Sequence, residues 1–124
     1  AQVRAFAQII ACDIHPLQNL RVLQHIASEY DVDQSGKDDW CRRWIGEGLA
    51  ACEALIGREQ HKGAFCFGDA PSLADICLVP QIFSAHRFNV DVDPMPHLRR
   101  IYDACIRLPA FATAAPSMQP DAES

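Results

Sequence analysis

Residues 72–88, SLADICLVPQIFSAHRF, constrain the fold more than any other stretch. Ser72 and, three residues on, Asp75 spell a helix-opening capping box with Asp in the place of Glu or Gln. The Ser72 hydroxyl can accept from the Asp75 backbone N–H while the Asp75 carboxylate reaches back to the Ser72 N–H, satisfying two otherwise unpaired donors. Pro71 and Ile76 stand where a hydrophobic staple has its pair. Leu73, Ile76, Leu78, Val79, Ile82 and Phe83 leave almost no polar face, so the segment predicts a central helix covered by others. Pro80 removes one backbone bond inside it and should bend it. Polarity returns at His86 and Arg87, where a helix C-terminus favours a cation. On spacing alone, Arg87 reads either as a simple helix-end cation or as a charge offered to an anion.

The flanking chain also reads as helices. Val3, Phe6, Ala7, Ile10 and Ile14 recur with helical period, and no cap precedes Ala1, which suggests a chain cut at its start. Pro16 should break the helix at His15, after which Leu20, Leu23 and Ile26 or Ala27 resume a core face. His15 and Asn19, four apart, can share a face beside the break. His15 is then either a cap for freed backbone groups or a site residue. Residues 29–39 read as a polar loop punctuated by Ser35-Gly36, with a solvated acid cluster and no EF-hand spacing. Asp38 or Asp39 is the expected start of the next helix, whose stripe is Trp40, Trp44, Leu49 or Gly48, Cys52 and Leu55 or Ile56. The two tryptophans read as packing anchors before a ligand-stacking pair, and Gly46 and Gly48 as points of close helix approach. In residues 57–71 Phe65 and Phe67 are expected to tuck the connection onto the core. Pro94 and Pro96 open a helix lined by Leu98, Ile101, Tyr102, Cys105 and Leu108, and Pro109 stops it. Residues 1–115 therefore predict one all-α domain of about five helices, and residues 116–124 an extended acidic tail.

Composition removes several function classes. With 124 residues the chain can bury roughly two-thirds of its unfolded surface in a single core. A net charge of −5 argues against a nucleic-acid partner, and no apolar run approaches the ~20 residues a membrane span needs. The opening AQVRAFAQII lacks the basic start and apolar centre of a secretory signal. Six scattered cysteines without a Cys-x-x-Cys unit read as reduced thiols of a cytosolic protein, and they pair with no histidine in a zinc-like spacing.

The pieces HPLQNLRVL, FCFGDAPSLADICLVPQIFSAHRFNVD, PHLRRIYDAC and LPAFATAAPSMQPDA follow one another along nearly the whole chain. Together they resemble the C-terminal helical domain of zeta-class glutathione transferases, the maleylacetoacetate and maleylpyruvate isomerases. The Gly-Asp-x-Pro-Ser-x-Ala-Asp block is shared by many glutathione transferases, whereas Leu-Val-Pro-Gln, then Arg-Phe-x-Val-Asp, and a closing Gln-Pro-Asp are far more specific to the zeta class. The resemblance implies a cytosolic homodimer of two-domain subunits active in aromatic catabolism, with glutathione as cofactor and a small dicarboxylate as substrate. Its thioredoxin-like first domain, with the thiol-activating serine/cysteine motif, has no match here. Trp40-Cys41-Arg42-Arg43 has neither the serines nor the position, so the fragment alone is expected to be inactive. By the same resemblance His15 stands where members contact glutathione, with Asn19 beside it. Arg87 matches the arginine that holds a substrate carboxylate, with Arg21 as a second candidate. His15 in place of Gln leans towards maleylpyruvate. The alternatives are a general glutathione transferase or dehalogenase on the same scaffold, and a non-catalytic helical interaction module.

Overall fold

The computed structural model describes residues 2–58 and 63–114. Among these residues six α-helices run in order: α1 (Gln2–Gln8), α2 (Leu20–Tyr30), α3 (Gln34–Arg58), α4 (Leu73–Arg87), α5 (Pro96–Ile106) and α6 (Pro109–Ala114). A π-helical turn (Ile9–Ile14) and a 3-10 turn (His15–Gln18) separate α1 from α2. Among the described residues the sole β feature is an isolated bridge between Phe65 and Gly68. The all-α expectation holds, with six helices in place of about five. The tail expected at 116–124 lies outside the described residues.

Proline chemistry breaks the opening segment, but not where the sequence suggested. A proline ring clashes with the carbonyl four residues back in a regular helix. Here the chain widens into the π turn, and the His15 N–H donates to Ile10 O, one residue further back than α-helical pairing. His15 therefore keeps helical angles, and the extended residue is Asn19 (φ −63°, ψ 142°). Asn19 Oδ1 accepts from the Arg21 N–H at 3.0 Å and so caps α2. Phe6, Ala7, Ile10 and Ile14 are buried as expected, while Leu20 is 66% exposed and does not join the core.

The polar stretch read as a loop is mostly helix. Only residues 31–33 connect α2 to α3, with Asp31 in the left-handed region at φ 53°. Asp33, not Asp38 or Asp39, opens α3: its Oδ1 accepts from the Gly36 N–H at 2.8 Å. Ser35 and Gly36 are thus first-turn residues. The buried row of α3 is Cys41, Ile45, Leu49, Cys52 and Ile56: the last three are as expected, while Cys41 and Ile45 take the places expected for Trp40 and Trp44. Trp40 and Trp44 sit half-buried on its flank, their rings edge-to-face at 5.7 Å. Gly48 is a point of close approach, since a Cβ there would run into Ile14 Cγ1. Gly46 has no such neighbour: the nearest atom to its Cβ position is 4.0 Å away.

A buried carboxylate organises the middle of the chain. Ser72 and Asp75 close the expected capping box. Asp75, fully buried, accepts from the Ser72 N–H at 2.8 Å and the Ser72 hydroxyl at 3.1 Å. It also accepts from the Cys66 N–H at 3.0 Å and, more weakly, from the Cys105 thiol at 3.7 Å. One side chain thereby joins the connection before α4, the start of α4 and the inner face of α5. Phe65 is buried and Phe67 packs edge-to-face on Phe6 at 5.8 Å, tucking the connection down as expected. Glu53 of α3 accepts from the His97 and Leu98 N–H groups at 2.8 and 3.0 Å, capping α5 from a distant element.

α4 is not covered all round. Ala74, Leu78, Gln81, Ile82 and Ala85 are buried with Asp75, but Leu73, Ile76, Pro80 and Phe83 form an exposed apolar stripe. Pro71 and Ile76, placed where a staple would be, are both exposed.

Removing the carboxylate should cost far more than removing the hydroxyl. Asp75→Ala strands several buried donors and is expected to lose about 3–5 kcal/mol in urea unfolding, against about 1 kcal/mol for Ser72→Ala. Equal losses would contradict the shared-carboxylate role. A second outcome concerns the thiols. Burial, with Asp75 next, pushes Cys66 upward and Cys105 up to about 12, and burial alone pushes Cys52 up to about 12. Raised values keep these thiols protonated well above pH 9 in the fold. Maleimide at pH 8 should therefore label exposed Cys12 first and spare Cys52, Cys66 and Cys105 until the chain is denatured, as read by peptide mass spectrometry.

Candidate functional site

Two cavities lie along α4, one where it faces the Ile9–Gln18 turns and one where its C-terminal end meets α2 and α3, and this line of α4 is the seam. The first, about 370 Å³, is lined by Ile10, Ala11, His15 and Gln18 on one side and Cys77, Pro80, Gln81 and Ser84 on the other. The second, also about 370 Å³, is lined by Leu20, Leu23 and Gln24 of α2, by Gln34, Lys37, Asp38 and Arg42 of α3, and by Arg87, Phe88 and Asn89. One turn of α4 separates Ser84 of the first from Arg87 of the second.

The first cavity is mostly neutral. His15 is exposed at its mouth, and its imidazole makes no hydrogen bond among the described residues, so it is not the backbone cap that its position beside Pro16 allowed. Gln81, only 3% exposed, donates through Nε2 to Gln18 Oε1 at 3.2 Å across the wall. Trp40 Nε1 donates to Leu17 O at 2.7 Å, which ties the same turn to α3. Neither glutamine was singled out as functional from the sequence, although both fall within quoted motifs. Their pairing, 63 residues apart, has no local signal.

The second cavity is cationic. Arg42 is engaged by Asp39 and by Phe88 O, and Asp38 accepts from Gln34 Nε2 at 2.9 Å. Arg87 and Lys37 make no ion pair among the described residues. The Arg87 guanidinium stacks over the Phe88 ring at 5.9 Å, which holds it without spending its donors. That leaves a planar fork suited to a carboxylate.

The four residues expected from the sequence therefore divide. His15 and Arg87 line consecutive cavities on one seam. Asn19 uses its side-chain oxygen to cap α2, and Arg21, exposed, lines neither cavity. A third hollow, about 310 Å³, opens on another face between the π turn and α3, beside Trp44, whose indole N–H is buried without a hydrogen-bond partner among the described residues. Among those residues no helix is long and apolar enough to cross a membrane.

Comparison with known proteins sets this geometry in a family. Residues 38–104 match the model of the glutathione S-transferase C-terminal domain. The maleylpyruvate isomerase of a Ralstonia species is 46% identical over 120 residues, covering 97% of this chain and 57% of that protein. A holo structure of maleylpyruvate isomerase, a bacterial zeta-class glutathione S-transferase, superposes with a TM-score of 0.95 at 45% identity, covering 98% of this chain and 57% of the other. The maleylacetoacetate isomerase of Anaeromyxobacter dehalogenans, with dicarboxyethyl glutathione and citrate bound in its active site, gives 0.90 at 41% identity over 98% of this chain and 53% of its own. The chain thus spans a little over half the length of these relatives. Its helical order, its matched residues and its neighbours agree: the chain belongs to the glutathione S-transferase C-terminal domain family, in its zeta-class form.

Proposed function

We propose that this chain is the substrate-binding half of a glutathione-dependent cis–trans isomerase acting on a maleyl diacid, maleylpyruvate or maleylacetoacetate. The observation that carries the reading is the seam itself, with a neutral, amide-walled cavity at His15 followed by a cationic one at Arg87. The first suits a peptide. His15 offers an imidazole not engaged elsewhere, and Ser84 supplies a polar edge among apolar walls. Glutathione, when bound, supplies a thiolate that adds reversibly to the cis double bond, allowing rotation before it leaves from the trans product. His15 would hold the tripeptide, with Asn19 at the same turn. Arg87 would take one carboxylate of the diacid in a bidentate grip and so orient the double bond towards the thiol. Arg21, on the next turn, would meet the diacid once the cleft is closed by the rest of the protein. The dicarboxyethyl glutathione and citrate held by the Anaeromyxobacter relative have the same chemistry, a glutathione thioether and carboxylates.

Two surfaces support a larger assembly. The exposed stripe Leu73, Ile76, Pro80 and Phe83 borders the His15 cavity and would receive a thioredoxin-like domain carrying the thiol-activating residue. The hollow beside the unpartnered Trp44 N–H would be covered in a cytosolic homodimer, where the second subunit supplies an acceptor.

The role of Arg87 has a selective test in the full-length protein. Arg87→Ala should lower kcat/KM for the maleyl diacid at least about tenfold, as expected for losing a charge-assisted bidentate contact, while conjugation of a neutral chloronitrobenzene changes little. Equal losses on both substrates would reject the carboxylate role.

A further inference from the structure

The His15–Gln18 turn has an unusual position for a residue meant to hold a ligand. It is preceded by a π turn and followed by an extended residue, so no regular helical ladder continues through it. Further on, the Arg21 N–H, which could serve Leu17 O four residues back, is taken by Asn19 Oδ1. The turn is held from outside instead. Trp40 Nε1 on α3 donates to Leu17 O at 2.7 Å, and Gln81 Nε2 on α4 donates to Gln18 Oε1 at 3.2 Å. These two anchors grip consecutive residues from two different helices.

We propose that Trp40 and Gln81 are positioning residues, a two-sided clamp that fixes where His15 stands over its cavity. The inference rests on the reading of His15 as a glutathione contact. Packing alone is a poor reason for Gln81, since a buried amide costs stability unless it is bonded, and leucine would fill the same space without that cost. Packing alone also leaves the Trp40 N–H unexplained, because its ring already meets Trp44 edge-to-face. Both polar groups are accounted for if what matters is the setting of the turn. A contact residue displaced by about an ångström loses much of its value to the bound ligand.

The test uses the full-length protein with Trp40→Phe, which keeps a ring but removes the donor, and Gln81→Leu, which keeps the bulk. Each variant should speed amide hydrogen exchange in the peptide covering residues 14–20, with α5 exchange unchanged. Each should raise KM for glutathione about three- to tenfold while kcat at saturating glutathione and KM for the diacid stay within about twofold. Exchange at 14–20 that stays at the wild-type rate overturns the clamp. Faster exchange with an unchanged glutathione KM overturns its link to His15. If His15→Ala itself leaves glutathione binding intact, the functional reading of His15 fails, while the exchange measurement still decides the clamp separately.

Discussion

A buried carboxylate stripped of water is tolerated only when donors surround it, and Asp75 has collected its donors from three parts of the chain. Ser72 brings the start of α4, Cys66 the connection before it, and Cys105 the helix α5. The two N–H contacts are short, at 2.8 and 3.0 Å, and the thiol contact at 3.7 Å is the weakest. Their convergence on one side chain fixes the axis of α4, and with it the register of every residue that α4 offers to the seam: Cys77 and Gln81 first, then Ser84, then Arg87 two turns beyond Pro80. A small rotation of α4 would carry Gln81 off Gln18 and Arg87 out of its cavity together.

The opposite wall of the seam is made by a failure of regular helix. Pro16 cannot sit in an uninterrupted α-helix, and the chain answers by widening before it, tightening after it and extending at Asn19. The resulting turn leaves the helix line and puts His15 at a cavity mouth. Close approach of Ile14 to Gly48 holds the widened part against α3. Structural irregularity and candidate chemistry therefore coincide, as is usual where a fold departs from its local preferences.

What could be read from the sequence was what local chemistry determines. The Ser72–Asp75 box depends on neighbours three residues apart, and the tuck of Phe65 and Phe67 and the opening of α5 at Pro96 carry local turn and proline signals, although their partners Phe6 and Glu53 lie far off in sequence. The start of α3 was missed because Asp33, Ser35 and Gly36 have the composition of a loop, and only the bond from the Gly36 N–H to Asp33 distinguishes a first turn from a coil. The first half of the α3 stripe was misplaced by one residue, Cys41 and Ile45 being buried where Trp40 and Trp44 were expected, because tryptophans look like core residues but are amphipathic and here stay on the flank. The cap that Glu53 gives α5 and the pairing of Gln18 with Gln81 join residues far apart in sequence, beyond any periodicity argument. For the site, His15 and Arg87 were found through resemblance to a family. That they line successive cavities depends on three-dimensional placement, whereas the cap Asn19 gives to the Arg21 N–H two residues on is local chemistry that the reading passed over.

The central proposal is that the two successive cavities along α4 take a thiol tripeptide at His15 and a dicarboxylate at Arg87. The most direct measurement is a crystal structure of the full-length protein with glutathione and a non-reactive dicarboxylate such as malonate. The account predicts glutathione in contact with His15, a malonate carboxylate paired with the Arg87 guanidinium, and both ligands along α4. Malonate bound away from α4, with Arg87 turned to solvent and His15 touching neither ligand, would contradict it.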